Sequence, residues 1–109
     1  MAGVKLLVIY PYPKDLPAFE REYTERHLPL AAKKIPGKIK FLTTKVLSTP
    51  TGERPSFYRV AELHFPSMEA LQKAAGSQGA KEAIAHAVSI STGGAPIFLV
   101  AEEEKPVSF

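Results

Sequence analysis

The centre of the chain reads KIKFLTTKVLS over residues 38–48 and FYRVAELHF over residues 57–65. Both pieces are rich in β-branched, aromatic and aliphatic residues, and neither contains Gly or Pro. Between them, Pro50, Gly52 and Pro55 punctuate a turn-rich connection. Two strands in direct succession therefore occupy the middle of the sequence. Downstream, Ser67 offers an N-cap for a helix opening at Met68, and Glu69 suits the positive end of its dipole. Gly76, Ser77 and Gly79 interrupt that helix, and a second piece is expected to about Val88. Gly93-Gly94 marks a turn before a last strand over Pro96 to Glu102. Upstream, a helix starts at about Leu16, with Asp15 as N-cap and Pro17 in its first turn, and Gly37 after Pro36 ends it. Before it, Val4 to Tyr10 is a strand closed by Pro11 and Pro13.

The order is β-α-β-β-α-β. It predicts an α+β, ferredoxin-like domain over residues 1–109: a four-stranded antiparallel sheet with both helices on one face. The other face reads too apolar to be left in water. Leu7, Ile9, Leu42, Val46, Tyr58 and Val60 alternate outward by strand parity. A second copy, laid sheet against sheet about a two-fold axis, is the simplest cover and predicts a homodimer.

Composition sets outer limits. With 45% hydrophobic and 23% charged residues, the 109-residue chain has the makeup of a folded domain, not of a disordered one. No cysteine is present, which excludes disulfides, thiolate metal sites and cysteine nucleophiles. The longest uninterrupted apolar run, Leu6 to Tyr10, is far short of a membrane span, so no membrane partner and a cytoplasmic location are expected. A net charge of +3 is a weak electrostatic footprint. Lys33, Lys34, Lys38, Lys40 and Lys45 cluster, but the third strand lacks the basic-Gly-aromatic pattern of RNA-binding sheets. No nucleic-acid partner is expected. Glu102, Glu103 and Glu104 are placed instead to meet the lysines of a partner's second strand.

The first helix carries the chemistry. Leu16, Phe19, Tyr23, His27 and Leu30 fall on one apolar stripe, with Arg21, Glu22, Glu25 and Lys33 opposite. Pro29, two residues beyond His27, lacks a donor and crowds the carbonyl of Glu25. The helix should bend or loosen there. A titratable ring on a buried stripe, one turn from a phenol and beside a backbone defect, is a candidate reaction centre. The competing reading is a core histidine satisfied by one hydrogen bond, with Tyr23 an ordinary core aromatic.

The run Phe19-x3-Tyr23-x3-His27-x-Pro29-Leu30, followed by Ile35-Pro36-Gly37, resembles the EthD family, dimeric α+β barrels of ferredoxin-like fold. The resemblance continues through Ala61 to Phe65 and Ser67 to Leu71, and more weakly through Ser91 to Gly94. It implies that His27 is the family's recurring histidine. It also implies oxidative breakdown of ethers beside a cytochrome monooxygenase system. By barrel kinship it implies the chemistry of cofactor-free monooxygenases, cyclases, decarboxylases and lactone isomerases. Family members often carry an acidic residue near the end of the second helix. This chain has His86 there, so an acid–histidine pair with His27 is not expected.

Two function classes follow. In one, His27 moves a proton on a small apolar or aromatic molecule between helices and sheet, and Tyr23 orients it or stabilises developing negative charge. Tyr10, Phe41 and Phe65 are the expected wall residues. In the other, the same pocket belongs to a non-catalytic binding or accessory subunit. His86 points away from the Ala80, Ala83, Ile84 and Ala87 face and is expected near solvent or a helix end. Glu62 and His64, on one strand face with Tyr58, form either an acid–base pair or an ion pair at the dimer seam. Histidine spacing gives no metal motif, and no cofactor is expected. Haem on His27 is the alternative that kinship with haem-binding barrels allows.

Overall fold

The protein's structure, a computed structural model, describes residues 3–109. Strand β1 (Val4–Pro11) is followed by helix α1 (Leu16–Glu22), a π-helical turn (Tyr23–His27) and α2 (Leu28–Lys34). Then come β2 (Lys40–Lys45), β3 (Phe57–Phe65), α3 (Met68–Ala75), α4 (Gln78–Ile90) and β4 (Ile97–Glu102). The strands form one antiparallel sheet in the order β2-β3-β1-β4. This is the expected α+β, ferredoxin-like topology.

The caps fall where the sequence placed them. Asp15 accepts from the Ala18 N–H, and Ser67 accepts from the Ala70 N–H. Ser77 caps α4 by accepting from the Ala80 N–H, so a new helix starts after the interruption at Gly76. Gly79 sets how that helix sits. A Cβ there would lie 2.0 Å from the Lys34 carbonyl oxygen, so only glycine lets the start of α4 touch the end of α2. Strand β2 is shorter than the expected span of residues 38–48, because its ladder with β3 stops at Lys45↔Arg59.

Strand parity divides the sheet cleanly except at one point. Val4, Leu6, Val8 and Tyr10 of β1 share the helix-covered face with Arg59, Ala61, Leu63 and Phe65 of β3. The β1–β3 register shifts between Tyr10 and Pro11, leaving Tyr58 as an extra residue, a β-bulge. Tyr58 was expected on the open face. Instead the bulge packs its ring against Phe19 of α1 and against Tyr12, and it is buried. On the open face Leu42, Ile97 and Leu99 stay exposed beside half-buried Leu7, Ile9 and Val60.

The first helix also differs from a regular α-helix. The buried positions are Phe19, Tyr23, His27, Ala31 and Ile35, each four apart, whereas Leu30 is only half-buried. A pure α-helix would rotate this row by about 40° at every step. The π turn takes up the drift: the Leu28 N–H reaches back five residues to the Tyr23 carbonyl. Pro29 supplies the cause, having no N–H for Glu25 and no space against its carbonyl.

Candidate functional site

His27 ends the π turn with its ring beneath the helix, 6% exposed. Its Nε2 lies 3.1 Å from the hydroxyl of Tyr10, which is fully buried at the end of the inward row of β1. Its Nδ1 lies 3.0 Å from Nδ1 of His86 on α4. The two imidazoles are 14° from parallel with centroids 5.2 Å apart. With the nitrogens so close, that separation sets the rings end to end in nearly a common plane, the geometry of an N–H···N hydrogen bond and not of face-to-face stacking. Tyr10, His27 and His86 thus form a continuous row.

Tyr23 lies beside this row. Its ring is near-parallel to Phe19 at 5.4 Å and to His27 at 5.8 Å, and meets Tyr10 edge-on at 5.3 Å. The Arg59 guanidinium sits 4.9 Å from the Tyr23 ring centre. Arg59 in turn bonds both carboxylate oxygens of Glu20, the shortest contact being 2.8 Å, and Lys45 adds a 3.3 Å ion pair. Burial alone would push the Glu20 carboxyl up; the hydrogen bonds from Arg59 and Lys45 and the charge of Arg59 hold it below the ordinary range. The Tyr23 hydroxyl is buried without a hydrogen-bond partner among the described residues.

Electrostatics keep the site neutral. Burial, reinforced by the charge that His86 can carry, lowers the His27 pKa to about 4. Burial raises the Tyr10 hydroxyl far above its usual range, with Tyr23 adding to the effect. Tyr23 is pushed up to about 12, again mainly by burial.

Two adjoining hollows lie between helices and sheet and share Leu6, Ile35, Ile84 and Phe98 as wall. The one beside Tyr10 and His27 also touches Phe41 and Ala87 and measures ≈ 30 Å³, room for about two waters. The other reaches Phe65 and Leu71 and measures ≈ 240 Å³. Apart from Tyr10 and His27 their walls are apolar. A third hollow of ≈ 280 Å³ lies on the far side of the imidazole pair, lined by His86, Glu22, Ser89 and Thr92 among others.

Of the residues expected in the site, His27, Tyr10 and Phe41 meet at the smaller hollow, and Phe65 lines its neighbour. Tyr23 touches His27 but lines neither hollow; the phenol on the imidazole is Tyr10. His86 is corrected in part. It was expected near solvent or a helix end, and it does stay half-exposed beside the third hollow, but its ring also bonds His27. The reason is a second contact face on α4. His86 follows Gly79 by seven residues, two helical turns, so the face that touches α2 also carries His86 to the π turn. Gly79 opens that face, and a glycine carries little hydropathy signal. Glu62 and His64 pair at 3.2 Å, and Lys5 holds the same carboxylate oxygen at 3.0 Å. They sit on the open sheet face, away from the hollows. Among the described residues no group of three or more His, Cys, Asp or Glu side chains is placed to hold a metal ion, and no helix is long and apolar enough to cross a membrane.

Known proteins match this architecture. The family model of the EthD domain matches residues 12–88. An uncharacterized 11.0 kDa protein from the thcB-thcC intergenic region of Rhodococcus erythropolis is 30% identical over 99 residues, covering 91% of this chain and 94% of its own length. Among solved structures, an ethyl tert-butyl ether D (EthD) family protein of Bacillus halodurans superposes with a TM-score of 0.87 at 31% identity, over 94% of this chain and 99% of that one. A dimeric ferredoxin-like protein of unknown function from Jannaschia gives 0.64 at 19% identity, over 94% of this chain and the whole of that one.

Proposed function

The chain belongs to the EthD family, and we propose that it transfers a proton on a small apolar or aromatic molecule bound between the helices and the sheet. The observation that carries this reading is the 3.1 Å contact between the Tyr10 hydroxyl and His27 Nε2 at the wall of an apolar hollow. A buried, neutral imidazole can accept a proton, and a phenol bonded to it can present that basicity to a substrate. Tyr10 is the group nearest the substrate, and His27 is the acid–base behind it. Tyr23, packed on the imidazole, fixes its ring. Phe65 walls the larger hollow, where a flat ring has room, and Phe41 walls the smaller one that adjoins it beside Tyr10 and His27. Enolisation of a carbonyl compound, the entry to oxidative breakdown and to polyketide-type cyclisation alike, falls within this chemistry.

The reading uses no cofactor. Both ring nitrogens of His27 already have partners, which speaks against that residue as an axial haem ligand. It includes a cytoplasmic homodimer joined through the open sheet faces, supported by exposed Leu42, Ile97 and Leu99 on that face and by the dimeric description of the Jannaschia relative.

A second reading, a non-catalytic carrier, is favoured by one observation: the larger hollow does not touch His27. His27→Ala separates the two. Turnover lost with ligand binding retained supports the enzyme, whereas equal loss of both, or turnover unchanged, overturns it.

A further inference from the structure

His86 has no part in the proton transfer described so far, yet it closes a row that begins inside the fold. The smaller hollow touches Tyr10 and His27 but not His86. The third hollow touches His86 but not His27. The imidazole pair therefore joins an apolar hollow to a more polar one that holds Glu22, Ser89 and Thr92.

We infer that Tyr10, His27 and His86 form a proton conduit, with His86 as the port through which the interior site exchanges protons with water. The inference rests on the acid–base reading above and extends it. The nitrogens impose the logic. Two Nδ1 atoms 3.0 Å apart need one proton between them. When it sits on His27, the Nε2 of His27 has a lone pair, and Tyr10 donates its hydroxyl proton to it. When it sits on His86, the Nε2 of His27 carries the other proton and donates to the Tyr10 oxygen, freeing the Tyr10 O–H for the hollow. One pass through the row links these states. A substrate proton goes to the Tyr10 oxygen as the Tyr10 proton goes to His27 Nε2. The His27 Nδ1 proton goes to His86 Nδ1, and the His86 Nε2 proton leaves to water. One proton enters, one leaves, and no charge remains on the buried ring.

That last point answers a difficulty of the simpler reading. A buried imidazole that resists protonation is a weak base on its own. Passing the proton onward removes the need to hold it. The titratable and charged groups around the row are Tyr23 and Glu22 on the first helix and its π turn, Arg26 paired with Glu22, and Arg59 beyond Tyr23. None of them is hydrogen-bonded to either imidazole.

The test uses the full chain labelled with ¹⁵N in its histidine rings. His86→Asn places an amide near Nδ1 but cannot pass a proton through; His86→Ala leaves space beside the third hollow for added imidazole. In the wild type, one and only one of the two Nδ1 atoms is expected to be protonated. Exchange of the His27 ring proton with water is expected to slow about ten-fold or more in His86→Asn and His86→Ala, and imidazole is expected to restore it in His86→Ala. Deuteration of acetophenone at its methyl group in D₂O serves as the carbon-acid probe and is expected to fall about 100-fold in His86→Asn. Two unprotonated Nδ1 atoms, or exchange unaltered in both variants, would overturn the conduit. Probe deuteration lost in His27→Gln but kept in His86→Asn also overturns it, and leaves the acid–base reading standing. A wild type that does not deuterate the probe, with imidazole-dependent exchange intact, upholds the conduit and counts against the acid–base reading.

Discussion

Acidification should unfold this protein partly through one ring. His27 has a pKa of about 4 in the fold, against about 6.5 for an exposed histidine. Below 6.5 the unfolded chain binds a proton at this position that the folded chain refuses. The stabilisation is therefore complete above pH 6.5 and is lost as pH falls toward 4. The gap corresponds to roughly 3 kcal/mol of folding free energy, with a slope no steeper than about 1.4 kcal/mol per pH unit. Against a typical domain stability of about 5–15 kcal/mol this is easily measured. Glu20 and Glu62, held below their ordinary range, lose stability in the same direction but lower on the pH scale. The assay is urea unfolding at fixed protein concentration, from pH 7 to 4.5, on the wild type and on His27→Gln. The variant is expected to lack most of the slope. Parallel pH profiles for the two proteins would refute the reasoning, because they would mean that His27 protonates equally well in both states.

Other substitutions probe the frame of the site. Gly79→Ala pushes a methyl group into the Lys34 carbonyl and should cost about 1–3 kcal/mol in thermal or urea unfolding, with His86 drawn away from His27; an unchanged melting temperature would contradict the close packing. Glu20→Gln strands the guanidinium of Arg59, whose side chain is 9% exposed, and should cost about 2 kcal/mol, less than a fully buried pair because Glu20 itself is 23% exposed. Leu99→Lys on the open sheet face should convert a sedimenting dimer to a monomer at micromolar concentration; a wild type already monomeric there would remove the basis for the dimer. Reversing the charge of Glu102, Glu103 and Glu104 should weaken association at low salt and have little effect at high salt.

Much of the architecture could be read directly because local signals and tertiary packing agree. The N-caps at Asp15 and Ser67, the glycine breaks and the uninterrupted strand at Phe57–Phe65 each have a local cause. His27 and the loosened helix beside Pro29 were legible for the same reason. Four features were not. The bulge that turns Tyr58 inward depends on how β1 and β3 pair, which neither strand specifies alone. The approach of His86 depends on the close contact at Gly79, a residue that marks nearness and not hydropathy. The bond from Tyr10 to His27 joins residues seventeen apart through the sheet's last inward position, so parity marked Tyr10 as wall but not as partner. The Arg59–Glu20 pair gave no sequence signal, since its members stand 39 positions apart.

The π turn over Tyr23–His27 holds one residue more than an α-helix would need to bridge the same two ends. The flanking segments stay in phase, each still turning its apolar side to the sheet. Excising a residue there would hand back an ordinary helix and cost the domain little of its architecture, while the imidazole would lose its alignment with both neighbours. On the proposed acid–base reading, scaffold and proton-transfer centre are thus separable, and a single-codon deletion in this turn would erase that chemistry while the surrounding fold kept its layout.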